Sequence, residues 1–449
     1  MAHPTNIAAL RNQEFGRLAA TGSVYLDYTG AALYPASLVS NDACRLTRQV
    51  LGNPHSESGP SLASTEAIAR ARQLTLGFLD ADPAEYEVVF TANASSAMRI
   101  LAEAFPFRRG SRLVLTADNH NSVNGLRVSA LKRRAAVEYV PLDAELRARN
   151  PLEMLTAAAG PSLFAFPAQS NFSGVQHPLS WVFEAQERGY HVLVDAAAYV
   201  PSNPLSLAKT SADFVALSFY KLFGYPTGVG ALVARREAVA MLKRRRSYFG
   251  GGAVEFVSVQ NNLVRLKAGG EGFEDGTPNF LSMPAVCDGL EWITRVGVAR
   301  IREHVCGLTR GMLERFAALK DRAIVYGPRD TLARGGVLTF NLVRDGRLLP
   351  FELFEAAARE RGVAIRGGCF CNPGAAEQAF GVSARKARAC LRGPFTISRF
   401  RSCLGDNAVG AVRASVGLAN STGDLDALLD LVTDLTQRKG VTFTPPLAS

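Results

Sequence analysis

Five short apolar runs in this sequence are each followed directly by polar or ionisable side chains. The run that ends at Thr91 leads into ANASS, which opens a helix and offers backbone N–H groups and hydroxyls to an anion. The other four runs lead to an imidazole, an amide, a carboxylate and an amine, carried by His120, Asn171, Asp195 and Lys221. Because ligands of open α/β sheets bind outside the carboxyl ends of the strands, we expect these groups to meet at one edge.

A phosphate cradle, a carboxylate and a lysine together are what pyridoxal 5′-phosphate requires. The lysine forms a Schiff base with the aldehyde, and the carboxylate keeps the pyridine nitrogen protonated so that the ring accepts electrons. Each residue alone is a weak signal, since a lysine after a strand is usually solvated and an aspartate there is often a turn or cap residue. Their succession at neighbouring strand ends predicts a shared cofactor site. The phosphate candidates in the first segment are Asn93, Ala94, Ser95 and Ser96.

The elements that must position these groups follow from hydrophobic periodicity. Between about residue 85 and residue 235, short β-branched runs alternate with amphipathic stretches, which predicts βαβ units and a mostly parallel sheet. Predicted helices between the strands include Ser122–Arg134 and Trp181–Gly189. The predicted strands are Glu87–Thr91, Arg112–Thr116, Val137–Pro141, Leu163–Pro167, His191–Asp195, Phe214–Ser218 and Val229–Ala234.

A second region follows a polar, Gly-rich stretch from Gly250 to Asn279, which we expect at a dimer interface or at the rim of the site. The chain has 449 residues, too many for one ordinary core, so two domains around one site are expected. The predicted elements of the second region are the helices Pro284–Thr294, Ala299–Leu319 and Asp424–Lys439 and the strands Val337–Leu342 and Val412–Val416.

The amino-acid composition is typical of a globular protein without a membrane or nucleic-acid partner. Hydrophobic residues make up 47% and charged residues 20%, as in globular proteins. No run approaches the roughly 18 apolar residues of a membrane helix, and the N-terminus lacks the apolar core of a signal peptide. We therefore expect a cytoplasmic protein without a membrane partner. The net charge of +10 comes mostly from scattered arginines rather than a basic stripe with aromatics, so no nucleic-acid partner is expected.

The seven cysteines are odd in number and irregularly spaced, so we interpret them as thiols rather than a disulfide framework. Cys369 and Cys371 lack the longer spacer and second ligand pair of structural zinc sites, and no metal site is predicted. Their segment, RGGCFCNPG, is typical of an exposed loop. A buried apolar thiol suits Cys287 and Cys306, which lie in helical patterns, better than Cys371, which Asn, Pro and Gly follow.

Several longer stretches resemble the class V aminotransferase group of PLP enzymes, which includes the cysteine desulfurases. The resemblance is strongest to the desulfurase domain of the molybdenum cofactor sulfurases and spans roughly residues 24 to 418. The stretches that carry it are YLDYTGAALYP, FTANASSA, DNHNSV, FAFPAQSNFSGVQHPLSW, VLVDAAAYV, ADFVALSFYKLFGYPTGVGAL, YFGGG, FEDGTPNF, RGGCFCNPGA and GAVRASVG.

This resemblance implies an α/β protein of PLP fold type I, with a mostly parallel seven-stranded sheet in the large domain and a smaller α+β C-terminal domain. The expected limits are 1–30 for an N-terminal segment near the small domain, 31–285 for the large domain and 286–449 for the small one. Residue 371 and residue 413 then lie in the small domain.

The resemblance also implies roles for the residues at the sheet edge. Lys221 is expected to hold the cofactor covalently, Asp195 to pair with its pyridine nitrogen and His120 to stack on its ring. The residues that would hold the phosphate are Asn93, Ser95, Ser96 and Ser218.

Three further residues receive roles by the same resemblance. Asn171 is expected to contact the ring hydroxyl or the substrate, and Arg413 to clamp the substrate carboxylate as a bidentate pair. Thr277 would reach the phosphate from a partner subunit, which implies a homodimer with composite active sites.

In the related desulfurases the cysteine that matches Cys371 is the nucleophile that attacks the sulfur of the bound substrate, L-cysteine. The resemblance therefore implies a desulfurase in which Lys221 takes the α-proton, Cys371 receives a persulfide, and alanine is released. Arg366, at the start of the loop, is expected to favour the thiolate and to bind substrate.

Other functions remain open on the sequence. C–S lysis, transamination and epimerisation would use the same lysine and aspartate, so among them only Cys371 discriminates. A non-catalytic sulfur-relay or binding protein is the alternative from another class. Two features favour the sulfurase branch over other desulfurases, namely Ala198 where many of them have Gln and Tyr220 where they have His.

The final sulfur acceptor does not follow from the sequence. The sulfurase branch often has a further cysteine after the Gly-Ala of the loop, where Ala376 stands here. Those sulfurases commonly carry a C-terminal cofactor-binding domain, whereas this chain ends at TFTPPLAS soon after its last predicted helix. We therefore expect a separate acceptor protein or a small molecule, and a relay role for Cys369 stays open.

Overall fold

A computed structural model describes residues 6–390, 392, 396–404 and 409–437 of the chain. The strands are β1 (Val24–Tyr25), β2 (Tyr86–Thr91), β3 (Arg112–Thr116), β4 (Ala136–Val140), β5 (Ser162–Pro167), β6 (Tyr190–Asp195), β7 (Phe214–Ser218), β8 (Gly230–Arg235), β9 (Val254–Ser258), β10 (Leu263–Leu266), β11 (Ala323–Tyr326), β12 (Val337–Arg344), β13 (Arg347–Leu348), β14 (Val363–Ala364), β15 (Arg366–Gly368) and β16 (Ala411–Ser415).

The α-helices lie before, between and after these strands. In chain order they are α1 (Ile7–Phe15), α2 (Arg17–Thr21), α3 (Ala36–Arg48), α4 (Gly59–Phe78), α5 (Ala94–Ala104), α6 (Asn121–Asn124), α7 (Leu126–Lys132), α8 (Pro151–Met154), α9 (Trp181–Gln186), α10 (Leu207–Thr210), α11 (Phe219–Phe223), α12 (Arg236–Lys243), α13 (Met283–Val296), α14 (Val298–Ala317), α15 (Phe351–Glu360), α16 (Pro373–Ala379), α17 (Ala384–Cys390), α18 (Ile397–Leu404) and α19 (Thr422–Gln437).

Seven strands form the large sheet, in the order β2-β8-β7-β6-β5-β3-β4. The pairs β7-β6, β6-β5, β5-β3 and β3-β4 are parallel, whereas β8 runs antiparallel to both β2 and β7. Because β8 is reversed between them, β2 and β7 point the same way, and their carboxyl ends share an edge with β6, β5 and β3. The expected mostly parallel seven-stranded sheet is confirmed.

Both faces of this sheet are buried. Along β5, Phe164 and Phe166 belong to one hydrophobic core, and Leu163 and Ala165 belong to the core on the other face. This alternation follows from the two-residue period of a strand. Since neither face meets water, the central strands are apolar at nearly every position, which is why they were recognisable in the sequence.

The C-terminal part of the chain contains a smaller sheet, ordered β11-β12-β16-β15, with β13 paired to β12. Its strand pairs are antiparallel. The helices α14, α15 and α19 pack on it, which gives the expected α+β arrangement. Near the N-terminus β1 pairs with β14 in parallel. The exact domain limits proposed from the sequence stay a prediction.

Two predicted helices differ from the structure in detail. The predicted helix Ser122–Arg134 is two helices, α6 and α7, which meet at Gly125, a residue of poor helix propensity. The last predicted helix begins earlier, at Thr422, and is described to Gln437. Its predicted end at Lys439 lies outside the described residues.

The expectation that all the cysteines are thiols is wrong for two of them. Cys390 at the end of α17 and Cys403 in α18 form a disulfide. They are 13 residues apart in the sequence, and α17 and α18 pack against each other. The five other cysteines are free.

Among the described helices, none is long and apolar enough to cross a membrane.

A buried ion-pair cluster joins the N-terminal segment to the small sheet. Arg366 and Arg413 lie directly opposite each other on β15 and β16, an arrangement in which like charges repel. Asp27 lies between them and accepts from Arg366 Nη2 at 2.7 Å and from Arg413 Nη2 at 2.8 Å. The Arg413 side chain is only 2% exposed, so this carboxylate compensates a charge that water cannot reach.

Replacing Asp27 with alanine is expected to lower the free energy of unfolding by about 3–5 kcal/mol, because the Arg413 charge would remain buried without its partner. Urea denaturation followed by circular dichroism measures this loss. The control is Asp426→Ala, which removes a mostly exposed partner of Arg315 and should cost less than about 1 kcal/mol. Equal, small losses in both variants would contradict the structural role of Asp27.

Candidate active site

The four ionisable or amide residues expected at strand ends lie at or just after the carboxyl ends of adjacent strands. Lys221 follows β7, Asp195 ends β6, Asn171 follows β5 and His120 follows β3, and these strands are consecutive neighbours in the sheet. Gly230 on β8 pairs with both Thr91 at the end of β2 and Ser218 at the end of β7, so the loop after β2 reaches the same edge. The structure thus brings together the strand-end residues that the sequence singled out.

The segment after β2 forms a compact helix N-terminus. Asn93 caps α5, since its Oδ1 accepts from the Ser96 backbone N–H at 3.0 Å. Ser218 approaches from β7, and its Oγ accepts from the Ala94 N–H at 2.9 Å. A Cβ atom on Gly230 would lie only 2.5 Å from the Asn93 Cα, so glycine is required for this approach. The hydroxyls and N–H groups at the start of α5 suit a phosphate.

His120 is tied to this phosphate-binding segment by hydrogen bonds. Its Nδ1 accepts from the Ser122 backbone N–H at 3.1 Å, so the neutral ring carries its proton on Nε2. Ser122 Oγ is in turn 2.6 Å from Ser95 Oγ. Burial lowers the pKa of His120, as do the positive charges of Lys221 and Arg413, against the opposing effect of Asp195. The imidazole is therefore held neutral near neutral pH.

Lys221 is an amine without a partner in a buried environment. Among the described residues, none forms a hydrogen bond or an ion pair with its Nζ. Burial lowers its pKa, Arg413 and Arg366 lower it further, and Asp195 and Asp27 oppose that shift. A lysine with a lowered pKa is more often in the neutral, nucleophilic form.

Asp195 is nearly inaccessible to water and interacts electrostatically with both Lys221 and His120. Its Oδ1 accepts from the Ala197 N–H at 3.0 Å, and no described residue donates to its Oδ2. This leaves one carboxylate oxygen for a protonated ring nitrogen. Together with the unpartnered amine and the N-terminus of α5, it provides a donor and acceptor set that fits pyridoxal phosphate.

Arg413 joins Asp27 to the loop after β5. Its Nη2 donates to Asp27 at 2.8 Å and its Nη1 donates to the Asn171 backbone O at 3.1 Å. The buried Nε has no hydrogen-bond partner among the described residues. Since each terminal nitrogen keeps a second N–H, the guanidinium retains donors for a carboxylate.

The cysteine loop packs against the same loops. The Cys371 carbonyl accepts from the Asn121 N–H at 2.8 Å, next to His120 in the chain. The Phe370 carbonyl accepts from the Asn171 side-chain amide at 2.7 Å. The Cys371 side chain is exposed, and the hydrogen bond to Asp27 is the largest cause of the raised pKa of Arg366.

Cys369 has a different environment from Cys371. It is partly buried, and its Sγ donates to the Val409 carbonyl at 3.3 Å. Burial raises its pKa to about 11, to which Glu377 and Cys371 contribute. This thiol remains protonated at neutral pH, so a nucleophilic role does not suit it.

Thr277, the residue expected to act across a subunit interface, lies on the surface of the chain. It is exposed, and its Oγ1 accepts from Asn53 at 3.3 Å. Within one chain it lines a surface cleft of about 470 Å³ together with Ser96 and Gly228. Its expected contact with a phosphate of a partner subunit stays a prediction.

Sequence reasoning missed three residues that shape the site. Asp27 lies in YLDYTGAALYP, one of the stretches that carry the family resemblance, but nothing in its neighbours indicates that it bridges two arginines. Asn372 is fully buried beside Cys371. His177 forms a buried pair with Asp118, two residues before His120, at 2.8 Å. Nothing in the stretch HPLSW, in which His177 lies, indicates that Asp118 is its partner.

Comparison with known proteins places the chain among related enzymes. The family model for aminotransferase class-V matches residues 24–428. The molybdenum cofactor sulfurase of Bos taurus is 33% identical over 94% of this chain, and that of Solanum lycopersicum is 33% identical over 96%. The apo structure of a cysteine desulfurase from Thermococcus onnurineus NA1 aligns with a TM-score of 0.81 and 25% identity, covering 97% of this chain and 100% of that one.

The two sulfurases are considerably longer than the stretch they share with this chain. The alignment covers 51% of the bovine protein and 57% of the tomato protein, so the chain spans about half the length of these relatives. The family match, in contrast, extends over most of the chain and includes every expected site residue. The chain belongs to the aminotransferase class-V family.

Proposed function

We propose that this protein is a PLP-dependent cysteine desulfurase that forms a persulfide on Cys371 and releases alanine. The observation that carries the proposal is the position of the cysteine loop. The Cys371 backbone is hydrogen-bonded to the residue after His120, and its exposed thiol belongs to the electrostatic cluster that includes Arg366 and Arg413. A thiol in this position can reach a substrate held at the edge of the sheet.

Pyridoxal phosphate, when bound, supplies an electron sink that makes the α-proton of an amino acid acidic. Lys221 would hold it, Asp195 would keep its ring nitrogen protonated, and His120 would cover its ring. The start of α5 would bind the phosphate through Asn93, Ser95 and Ser96, with Ser218 beside them.

The substrate carboxylate would be bound by the arginines of the small sheet. Arg413 is fixed by Asp27 and by the Asn171 backbone, so its remaining N–H groups have a defined direction. Arg366 is half exposed and adds a second positive charge on the solvent side. A fixed guanidinium favours an α-amino acid over an amine without a carboxylate.

Proton transfer and sulfur transfer are assigned to different side chains. The pKa of Lys221 is lowered by burial, so its Nζ is available as a neutral base for the proton on the substrate Cα. The Cys371 thiolate then forms a bond to the substrate sulfur while the bond between that sulfur and Cβ breaks. The products are a persulfide on Cys371 and, after Cβ is protonated, alanine.

The proposed acceptor of the sulfur is a separate protein or a small molecule. The sulfurase relatives share about half their length with this chain, and that half contains the loop with Cys371. A thiol that is exposed at the end of a loop suits transfer to a separate acceptor protein or to a small molecule.

A cytoplasmic location is also part of the proposal. The five free cysteines support it, because thiols stay reduced in the cytoplasm, whereas the Cys390–Cys403 disulfide would be unusual there.

A homodimer is the proposed assembly, and the hairpin of β9 and β10 is its proposed contact. These two strands pair only with each other in the described sheets. The hairpin exposes apolar side chains, among them Phe256 at 61% and Val259 at 90%. An isolated two-stranded ribbon with an apolar surface is marginal in water, so burial against a second copy would stabilise it.

Replacing Lys221 with alanine is expected to abolish both the visible absorbance of the bound cofactor and alanine formation from cysteine. The reason is that no other described amine lies among the residues of the site. Absorbance spectra of the purified protein measure the first effect. Lys209→Ala, which changes an exposed lysine of α10, should leave the spectrum unchanged. An unaltered spectrum in the Lys221 variant would remove the basis for the cofactor assignment.

Replacing Cys371 with serine is expected to lower alanine formation from cysteine at least about 100-fold, because the nucleophile for sulfur is lost. Mass spectrometry of the wild type after cysteine treatment should show one added sulfur atom on the Cys371 peptide. Cys44→Ser is the control, since Cys44 is also free and exposed. If the Cys371 variant releases alanine at the normal rate, Cys371 is not the nucleophile, and C–S lysis or another reaction would explain the site better.

The double change Phe256→Asp and Val259→Asp is expected to convert a dimer into a monomer, because it places charges on the proposed contact. Light scattering after size-exclusion chromatography should give twice the chain mass for the wild type and one chain mass for the variant. Val128→Asp, on the exposed side of α7, is the control. A monomeric wild type would contradict the proposed homodimer.

A further inference from the structure

We propose that Asn372 is a positioning residue that docks the Cys371 loop onto the cofactor-binding loops, and that Gly374 permits this close approach. The inference rests on the proposed function, since Cys371 is the residue that is positioned. Asn372 and Gly374 follow the nucleophile in the chain, and neither takes part in the reaction steps proposed above.

Asn372 uses both ends of its amide in the interior. Its Nδ2 donates to the Asp118 backbone O at 2.6 Å and to Asn171 Oδ1 at 2.9 Å. Its Oδ1 accepts from the Ala375 N–H at 3.2 Å and thereby caps α16. The side chain is fully buried. One amide therefore links the cysteine loop to the loop before His120 and to the loop after β5.

The backbone of the loop is held at the two preceding residues as well. Phe370 and Cys371 both have a φ of 55°, in the left-handed region that is unfavourable for residues with a side chain. Such a conformation persists only where the surroundings impose it. Here the carbonyls of both residues are bound, by Asn171 and by the Asn121 N–H. These contacts exist only while the loop is docked.

Gly374 contributes by having no side chain. A Cβ atom at this position would lie 2.1 Å from the Ala117 carbonyl oxygen, a distance that backbone atoms cannot accommodate. The residue is in the first turn of α16, and its φ is not positive, so alanine would suit the helix itself. Substitution there should displace the loop without weakening α16.

These geometries predict that docking and cofactor binding can be separated by mutation. Asn372→Asp has the same shape and keeps an oxygen to cap α16, but it loses both donors and faces two acceptor oxygens. Gly374→Ala obstructs docking by a clash instead. Gly423→Ala is the matched control, because Gly423 also lies in the first turn of a helix, α19, and its nearest neighbour is Ser421 Oγ at 3.7 Å.

Hydrogen exchange measures the docking directly, without any reaction. In the holoenzyme, the amide of Asn121 and those of the loop from 369 to 376 should exchange at least about tenfold faster in both variants than in the wild type. The Gly423 control should leave these amides unchanged. Unchanged exchange in both Asn372→Asp and Gly374→Ala would overturn the proposal.

Two reactions separate positioning from a general loss of structure. Exchange of the α-proton of L-alanine with deuterated solvent needs the cofactor site but not Cys371, and it should stay within about twofold of wild type, whereas alanine formation from cysteine should fall at least about tenfold. Equal losses in both reactions would show that Asn372 supports the cofactor site rather than the loop, against the proposal. If the wild type makes no alanine from cysteine, the proposed function fails, and hydrogen exchange still decides the docking.

Discussion

The site depends on one residue, Asn171, that connects the two sheets. Its backbone carbonyl accepts from Arg413 in the small sheet, its side-chain amide donates to the Phe370 carbonyl, and its side-chain oxygen accepts from Asn372. It follows β5 in the middle of the large sheet, so these contacts fix the small sheet and the cysteine loop relative to the cofactor-binding edge. A contact of Asn171 with a ring or substrate would add to this role and not replace it.

Charge compensation explains why so many ionisable groups can lie together. Arg413 and Lys221 are both buried positive groups, and each lowers the pKa of His120. Asp27 pairs with the two arginines and Asp195 lies among the groups at the large sheet, so each carboxylate compensates mainly the charges of its own half of the site. The division is useful chemically, because the arginines stay charged and can bind a carboxylate while Lys221 shifts towards its neutral form.

The sequence predicted the large sheet well because its central strands are buried on both faces and leave an apolar run for each strand. The ends of those runs locate Lys221, Asp195 and His120, since parallel strands bring their carboxyl ends to one edge. The bridge from Asp27 to Arg413 was not predictable, because the two residues are 386 positions apart and their pairing depends on how β1 and β16 meet. The same holds for Asn372, whose partners are 254 and 201 positions away.

The different environments of two neighbouring thiols support the proposal that Cys371, and not Cys369, is the nucleophile. Cys369 and Cys371 are separated by one residue; the family resemblance implies that Cys371 is the nucleophile, and the sequence leaves a relay role for Cys369 open. In the structure Cys369 donates to the Val409 carbonyl and burial raises its pKa to about 11, which keeps it protonated. Cys371 instead lies in a left-handed turn with Phe370, and its thiol is exposed while its backbone stays bound to the residue after His120. The Cys371 thiol is thus held beside the site by a strained turn that only tertiary contacts maintain, and local sequence patterns carry no information about those contacts.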